Sequence, residues 1–300
     1  IIHDCAIQHL PVIFCMDRSG IAGEDGPTHH GALDIAYLRC VQDMIITAPK
    51  NGNEFRHLLY TALGINDRPF SIRYPKSSSF EFDESGQIEL LPIGSWEILN
   101  QGSDIVILAV GPMVYTALDV AKELEANGIT CEVVNCRFIK PMDISYLEII
   151  RTKFSCVLTI EEGTISGGFG DGVAGWLLEN GFSGKMKKLG LPDAFIEHGT
   201  RNQLLEMIGL DKEGILNTIE KFLTAASSGN TTDFGDLSEQ KNRGASCASS
   251  TRGIFANGLA DPGSSRNTIE FITISATGSA FDFGDISGGD HRRWGITGYS

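Results

Sequence analysis

Strand-length apolar runs separated by amphipathic helical segments recur twice along the first 223 residues. This alternation constrains the fold more than any other feature of the chain. Pro11–Asp17 (PVIFCMD), Met44–Ala48 (MIITA) and Phe70–Tyr74 (FSIRY) are mostly apolar runs of strand length, bounded by glycine- or proline-containing segments. Continuous apolar strands of this kind suit a parallel sheet covered on both faces. Between them lie a predicted short helix over 33–40 and a longer one over 52–63, which Asn51 can cap and Gly64 can end. The order is β-α-β-α-β, an α/β pattern with crossover helices. This first set is too small and too one-sided to be a whole domain.

A polar connector over 77–103 carries one apolar stretch, 88–96. The alternation then begins afresh. Strands are expected at 105–110, 130–135, 155–160 and, weakly, 187–190. Helices are expected at 114–127 (stopped by Gly128), from the cap Asp143 to about 153, at 173–179, 201–208 and 213–222. Six elements and more in alternation predict a second, doubly wound α/β domain.

The chain changes character after Leu223. Residues 224–300 hold 12 Gly and 12 Ser but a single Lys, and the hexapeptide DFGDLS (233–238) returns as DFGDIS (282–287), 49 residues on. That period matches kelch-type spacing, but so few units cannot bury their faces against one another. The tail is therefore expected to be a β-rich or disordered appendage. At the other end, IIHDCAIQ reads as the last turns of a helix begun upstream, with no Met and no basic leader. The chain is expected to be an internal piece of a longer protein.

Composition narrows the function. The formal net charge is −14, which argues against a general nucleic-acid binder. No apolar run reaches the length of a membrane-spanning helix. None of the seven cysteines forms a CxxC pair, so they read as thiols of a reducing compartment rather than disulfide or zinc ligands. The GxSxG, HExxH and EF-hand signatures are absent, leaving hydrolase, zincin and calcium readings without support.

The densest polar cluster is Asp17-Arg18-Ser19-Gly20-Ile21-Ala22-Gly23-Glu24-Asp25-Gly26-Pro27-Thr28-His29-His30-Gly31, directly after a predicted strand. Ligands of open α/β sheets bind at the carboxyl ends of strands. Arg18 offers a planar fork for phosphate or carboxylate. Asp25, His29 and His30 offer acid–base or hydroxyl-binding groups. Arg73 ends a predicted strand; a buried charge there needs a partner. It could pair with Asp17 or Asp25, or join Arg18 at a phosphate. The glycine-rich 163–172 lacks the Lys-Ser/Thr of a P-loop and is expected to serve a turn or packing. Glu161 and Glu162 are expected to cap or to meet a domain interface.

These residues carry a family likeness. DRSGIAGEDGPTHHGALDIAYLRC (17–40), TAPKNGNEFRHLLYTAL (47–63) and IRYPKS (72–77) resemble 1-deoxy-D-xylulose-5-phosphate synthases. The likeness continues through LPIGSWEIL, AVGPMVYTA, RFIKPMD (137–143), IEEGTISGGFGDGV (160–173) and GLPDAFIEHGTRNQLL (190–205). Where the family often has THQGAFD, this chain has THHGALD, with His30 and Leu33. The tail bears no such resemblance.

The resemblance implies the second half of a transketolase-like pyrimidine-binding domain over 1–80, a linker over 81–96 and a transketolase C-terminal domain over 97–223. It implies a transferase that condenses pyruvate with glyceraldehyde 3-phosphate and releases CO2, using thiamine diphosphate and Mg²⁺, for isoprenoid, thiamine and pyridoxal synthesis. The motifs that bind that cofactor and metal are expected upstream of residue 1, so the piece alone is expected to be inactive. By resemblance, Arg18 and Arg73 hold the acceptor phosphate, and Asp25 and His29 lie near the substrate hydroxyls and reacting carbonyl. A homodimer through the C-terminal domain and a cytoplasmic (or plastid stromal) location follow from the same likeness. A non-catalytic dimerisation module, or a β-type subunit of another thiamine-dependent enzyme, is the alternative.

Overall fold

The computed structural model of the chain describes residues 1–79, 82–227 and four strand segments between 245 and 285. Contacts divide it into two compact units, Ile1–Ala226 and Ser227–Ser300.

The first unit opens with a single π-helical turn, Ile2–Ala6. There follow β1 (Ile13–Met16), a 3₁₀ turn (Gly23–Asp25), α1 (Asp34–Arg39), β2 (Ile45–Thr47), α2 (Gly52–Leu63) and β3 (Phe70–Arg73). The second alternation comprises β4 (Glu97–Asn100), β5 (Ile105–Ala109), α3 (Met113–Ala126), β6 (Cys131–Asn135), β7 (Phe138–Lys140), α4 (Ile144–Lys153), β8 (Cys156–Thr164), α5 (Phe169–Glu179), β9 (Lys185–Leu191), α6 (Arg201–Met207) and α7 (Lys212–Ser227). The helix caps act as the sequence predicts. Asn51 accepts the Glu54 N–H at 2.9 Å and Asp143 the Tyr146 N–H at 3.0 Å. Thr200 and Gln203 close a reciprocal capping box on α6.

Two sheets result. The first has the order β1-β3-β2-β7, with β1, β3 and β2 parallel. The second has the order β4-β6-β5-β8-β9, parallel apart from β4. Its central strand β5 is apolar and buried on both faces. Ile105, Ile107 and Ala109 pack with α3 and the closing helices. Val106, Leu108 and Val110 turn the other way, into a core shared with α4, α5 and α1. The period of two along a strand thus serves two separate cores.

Two strands, β4 and β7, are absent from the sequence reading. β7 is three residues long and too short to show a periodicity. It pairs antiparallel with β2, Ile46 opposite Lys140, so a strand from the second alternation completes the first sheet. Its Phe138 is fully buried beside Leu58, Phe70 and Ile72. In return, Ile35 and Leu38 of α1 are buried in a core with Val106, Leu108 and Val157 of the second sheet. The halves therefore exchange elements and share their cores. α5 also begins four residues earlier than predicted, inside the glycine-rich segment. Among the described residues no helix is long and apolar enough to cross a membrane.

The second unit contains β10 (Ala245–Ala248), β11 (Arg252–Ala260), β12 (Ser264–Thr273) and β13 (Phe281–Asp285), an antiparallel sheet in sequential order. The second copy of the repeated hexapeptide starts on β13. The first copy, 233–238, lies outside the described residues, and with it the kelch-like repeat as a whole.

Phe138→Ala is expected to lower the unfolding free energy of the first unit by about 3–5 kcal/mol, the usual cost of emptying a buried phenyl site. Urea unfolding followed by tryptophan fluorescence checks it, since Trp96 donates its indole N–H to the Phe138 carbonyl at 2.8 Å.

Candidate functional site

The polar segment 17–31 leaves the carboxyl end of β1 and returns on itself. Ser19 and Gly20 both bridge to Gly31, and Gly31 N–H donates to the carbonyls of Arg18 and Gly20, each at 2.9 Å. Arg18 itself has a left-handed backbone, φ +58°, uncommon for a residue with a side chain. Gly31 is needed where the loop closes. A Cβ there would lie 2.5 Å from the Arg18 carbonyl oxygen.

Three charged groups converge at the outer face of this loop. Arg18 Nε donates to Asp25 Oδ2 at 3.3 Å and Lys76 Nζ donates to the same oxygen at 2.7 Å. Arg18 also pairs with Asp17. Lys76 arrives from the carboxyl end of β3, three residues past Arg73. Its ammonium, above all, holds the Asp25 carboxyl below the usual carboxylate range, with Arg18 adding to the effect. His29 is exposed and shares a hydrogen bond with Thr28 Oγ1 at 3.0 Å. His30 Nδ1 accepts the Ala22 N–H at 3.0 Å, so the neutral ring carries its proton on Nε2.

Arg73 does not join Arg18. Its side chain is 3% exposed, and its Nε donates to Asp34 Oδ2 at 2.9 Å. Its Nη2 donates to the Gly31 and Glu162 carbonyls at 3.2 and 3.0 Å. Its charge is balanced internally and closed to an incoming dianion. Neither carboxylate considered from the sequence, Asp17 or Asp25, is its partner. The partner is Asp34, whose other oxygen accepts the Ile35 N–H at 2.8 Å. The cation that sequence reasoning missed is Lys76. The available signal was its place just past Tyr74-Pro75, at the mouth of β3.

The adjacent glutamates divide their work. Glu161 accepts the Phe169 and Gly170 N–H groups, each at 2.8 Å, and so caps α5. Burial pushes its carboxyl up against the pull of those two bonds. The glycines of this segment are packing devices. A Cβ on Gly168 would strike the Thr164 carbonyl at 2.3 Å, and one on Gly170 would lie 2.6 Å from Thr159 Oγ1. Glu162 points the other way, into the 19–26 loop.

Comparison with known proteins bears on this arrangement. The transketolase pyrimidine-binding domain family matches residues 1–80, and the transketolase C-terminal domain family matches residues 94–215. The 1-deoxy-D-xylulose-5-phosphate synthase of Aquifex aeolicus is 44% identical over 223 residues, which is 74% of this chain and 35% of that protein. That of Geobacter sulfurreducens (synthase 1) is 41% identical, over 75% of this chain and 35% of its own length. The chain thus spans about a third of the length of these relatives. Among solved structures, a split-gene transketolase described as an inactive β4 tetramer superposes with a TM-score of 0.67 at 30% identity, covering 75% of this chain and 71% of that one. A Pichia stipitis transketolase mutant has the same fold at 21% identity, TM-score 0.58. The shared fold, and the match of both α/β domains, show that the chain belongs to the transketolase family, and the curated relatives it resembles at 41–44% identity are 1-deoxy-D-xylulose-5-phosphate synthases.

Proposed function

We propose that this chain carries the acceptor-phosphate side of a 1-deoxy-D-xylulose-5-phosphate synthase site, which joins pyruvate to glyceraldehyde 3-phosphate with loss of CO2. The observation that supports the reading is the convergence of Arg18 and Lys76 on one carboxylate at the mouths of β1 and β3. A phosphate dianion replaces Asp25 as their shared partner, through charge-assisted hydrogen bonds that orient the acceptor. Asp25, released from the cations, accepts from a substrate hydroxyl. His29 gives a proton to the oxygen that was the acceptor's aldehyde. Arg73 is a positioning residue in this reading, and Lys76 takes the place expected for it at the phosphate.

Among the described residues no three His, Cys, Asp or Glu side chains converge as a cation site. In this reading the metal-bound diphosphate end of a thiamine cofactor is held by residues other than these. The chain then needs a complementary segment for turnover. In this reading it works in the cytoplasm as half of a homodimer. Tyr37 on α1, with Leu33 and Cys40 that flank the helix four residues before and three after, supports a dimer contact with an exposed stripe. A β-type subunit completed by a second chain is the other reading, favoured by the match to a split-gene transketolase.

Titration calorimetry with glyceraldehyde 3-phosphate tests the proposal. Saturable binding is expected, weakened at least about tenfold by Arg18→Ala or Lys76→Ala through loss of a charge-assisted contact. Arg73→Ala is expected to act on stability instead, by about 3–5 kcal/mol in urea, because it strands buried Asp34. Equal binding by wild type and Lys76→Ala sinks the assignment of the phosphate cation. The Asp25 carboxyl, followed by NMR, is expected to titrate below its ordinary 3.8 and to rise toward that value in Lys76→Ala. The sign follows from linkage. A lowered folded-state value means the ion pairs contribute fully above the unfolded value, and the contribution is lost as pH falls through the folded one. With thiamine diphosphate and Mg²⁺ added, the chain alone is expected to release no CO2 from pyruvate, and measurable release would refute that.

A further inference from the structure

The acceptor loop closes on itself through the Gly20–Gly31 and Ala22–His30 hydrogen bonds but has little regular secondary structure. Between Ser19 and Gly31 it contains one 3₁₀ turn and a two-residue bridge. Its first stretch is also held from outside. Ile21 is fully buried in a core with Ile196 and Leu204 of the second half. The Ile21 N–H donates to Glu162 Oε2 at 3.1 Å. The other carboxylate oxygen of Glu162 accepts from Arg201 Nη2, and its main-chain carbonyl accepts from Arg73. Glu162 is 5% exposed, and a carboxylate so buried persists only with partners for its charge and lone pairs.

The glycines of the loop fit the same contact. A Cβ on Gly20, whose φ is +73°, would lie 2.5 Å from both Cβ and Oε2 of Glu162. One on Gly23 would meet the Gly199 carbonyl at 3.4 Å, and one on Gly26 would meet His198 Cβ at 3.4 Å. The loop therefore lays its glycine side on the end of β8 and on residues 198–201. Arg18 and Asp25 stand on either side of the anchored residue, three positions before it and four after. The segments IEEGT and EHGTR, which contribute nothing to the acceptor site directly, meet at this anchor.

We propose that Glu162 is a positioning residue for the acceptor site: through the Ile21 N–H, and with Arg201 neutralising it, this carboxylate holds the 19–26 loop in the shape that sets Arg18 and Asp25 opposite Lys76. It touches no substrate. The inference rests on the phosphate-binding reading above, and two readouts keep the two apart.

Amide hydrogen exchange of Ile21 in the full chain reports the anchor without any ligand. Calorimetry with inorganic phosphate reports the site. In Glu162→Ala the Ile21 amide is expected to exchange at least about tenfold faster, the loss of one hydrogen bond to a charged acceptor. Phosphate affinity is expected to fall on the order of tenfold as the cations lose their geometry. Glu162→Gln keeps one acceptor oxygen for the Ile21 N–H but sets its NH2 against Arg201, and is expected to restore both readouts in part. Should the Ala variant not fold, Glu162→Asp replaces it, keeping the charge while falling one methylene short of Ile21. Unchanged Ile21 exchange in the Ala or Asp variant overturns the proposal. So does faster exchange with unchanged phosphate affinity. So does a Gln variant that matches Ala in affinity and in lowered melting temperature, which marks a purely structural role. Failure of the wild-type chain to bind phosphate overturns the functional reading instead, and the anchor is then decided by exchange alone.

Discussion

The buried Arg73 guanidinium ties three stretches of chain that are far apart in sequence. It sits at the end of β3, neutralises Asp34 at the start of α1, and donates to carbonyls of Gly31 and Glu162. A charge this deep is costly to bury, and only several well-placed acceptors offset the cost. The geometry of the acceptor loop follows from that knot. Gly31 closes the loop, Asp34 starts the helix after it, and Glu162 both accepts from Arg73 and grips the loop at Ile21. One of the two arginines that the family resemblance assigns to the acceptor phosphate thus has its guanidinium engaged in holding the platform.

That platform explains why the two α/β alternations form one compact unit. α1 leaves the first sheet to bury Ile35 and Leu38 against the second. β7 leaves the second alternation to extend the first sheet beside β2. Each half supplies what the other lacks. Both halves add to the loop's own hydrogen bonds, Arg73 at Gly31 from the first and Glu162 at Ile21 from the second.

Much of this was legible in the sequence. The strands β1, β2, β3, β5, β6 and β8 stand close to the apolar runs that announce them. The caps Asn51 and Asp143 act as their residue types suggest. Asp17–Gly31 was legible as a candidate site loop, since Gly, Arg, Asp and His crowd together after a strand. β4 and β7 were not legible, because strands of four and three residues carry too little alternation to stand out. The early start of α5 was hidden by its glycines, which disfavour helix in isolation. They are tolerated there because α5 packs too close to β8 for side chains, and because Glu161 satisfies two of its first N–H groups.

By itself, the sequence determined the α/β class, the order of most elements, the family resemblance and the loop proposed to carry the acceptor site. These depend on local patterns, namely the apolar period, the cap residues and a dense motif, and local patterns are written in consecutive residues. Only the tertiary structure decided which cation faces the site. Arg73 and Lys76 are three residues apart and alike in charge, and nothing local separates them. The difference is made by Asp34 and by the second sheet, which enclose Arg73 and leave Lys76 at the mouth of β3 beside Asp25. Burial is a property of what packs against a residue, and for these two the charged partners lie 39 and 51 residues away.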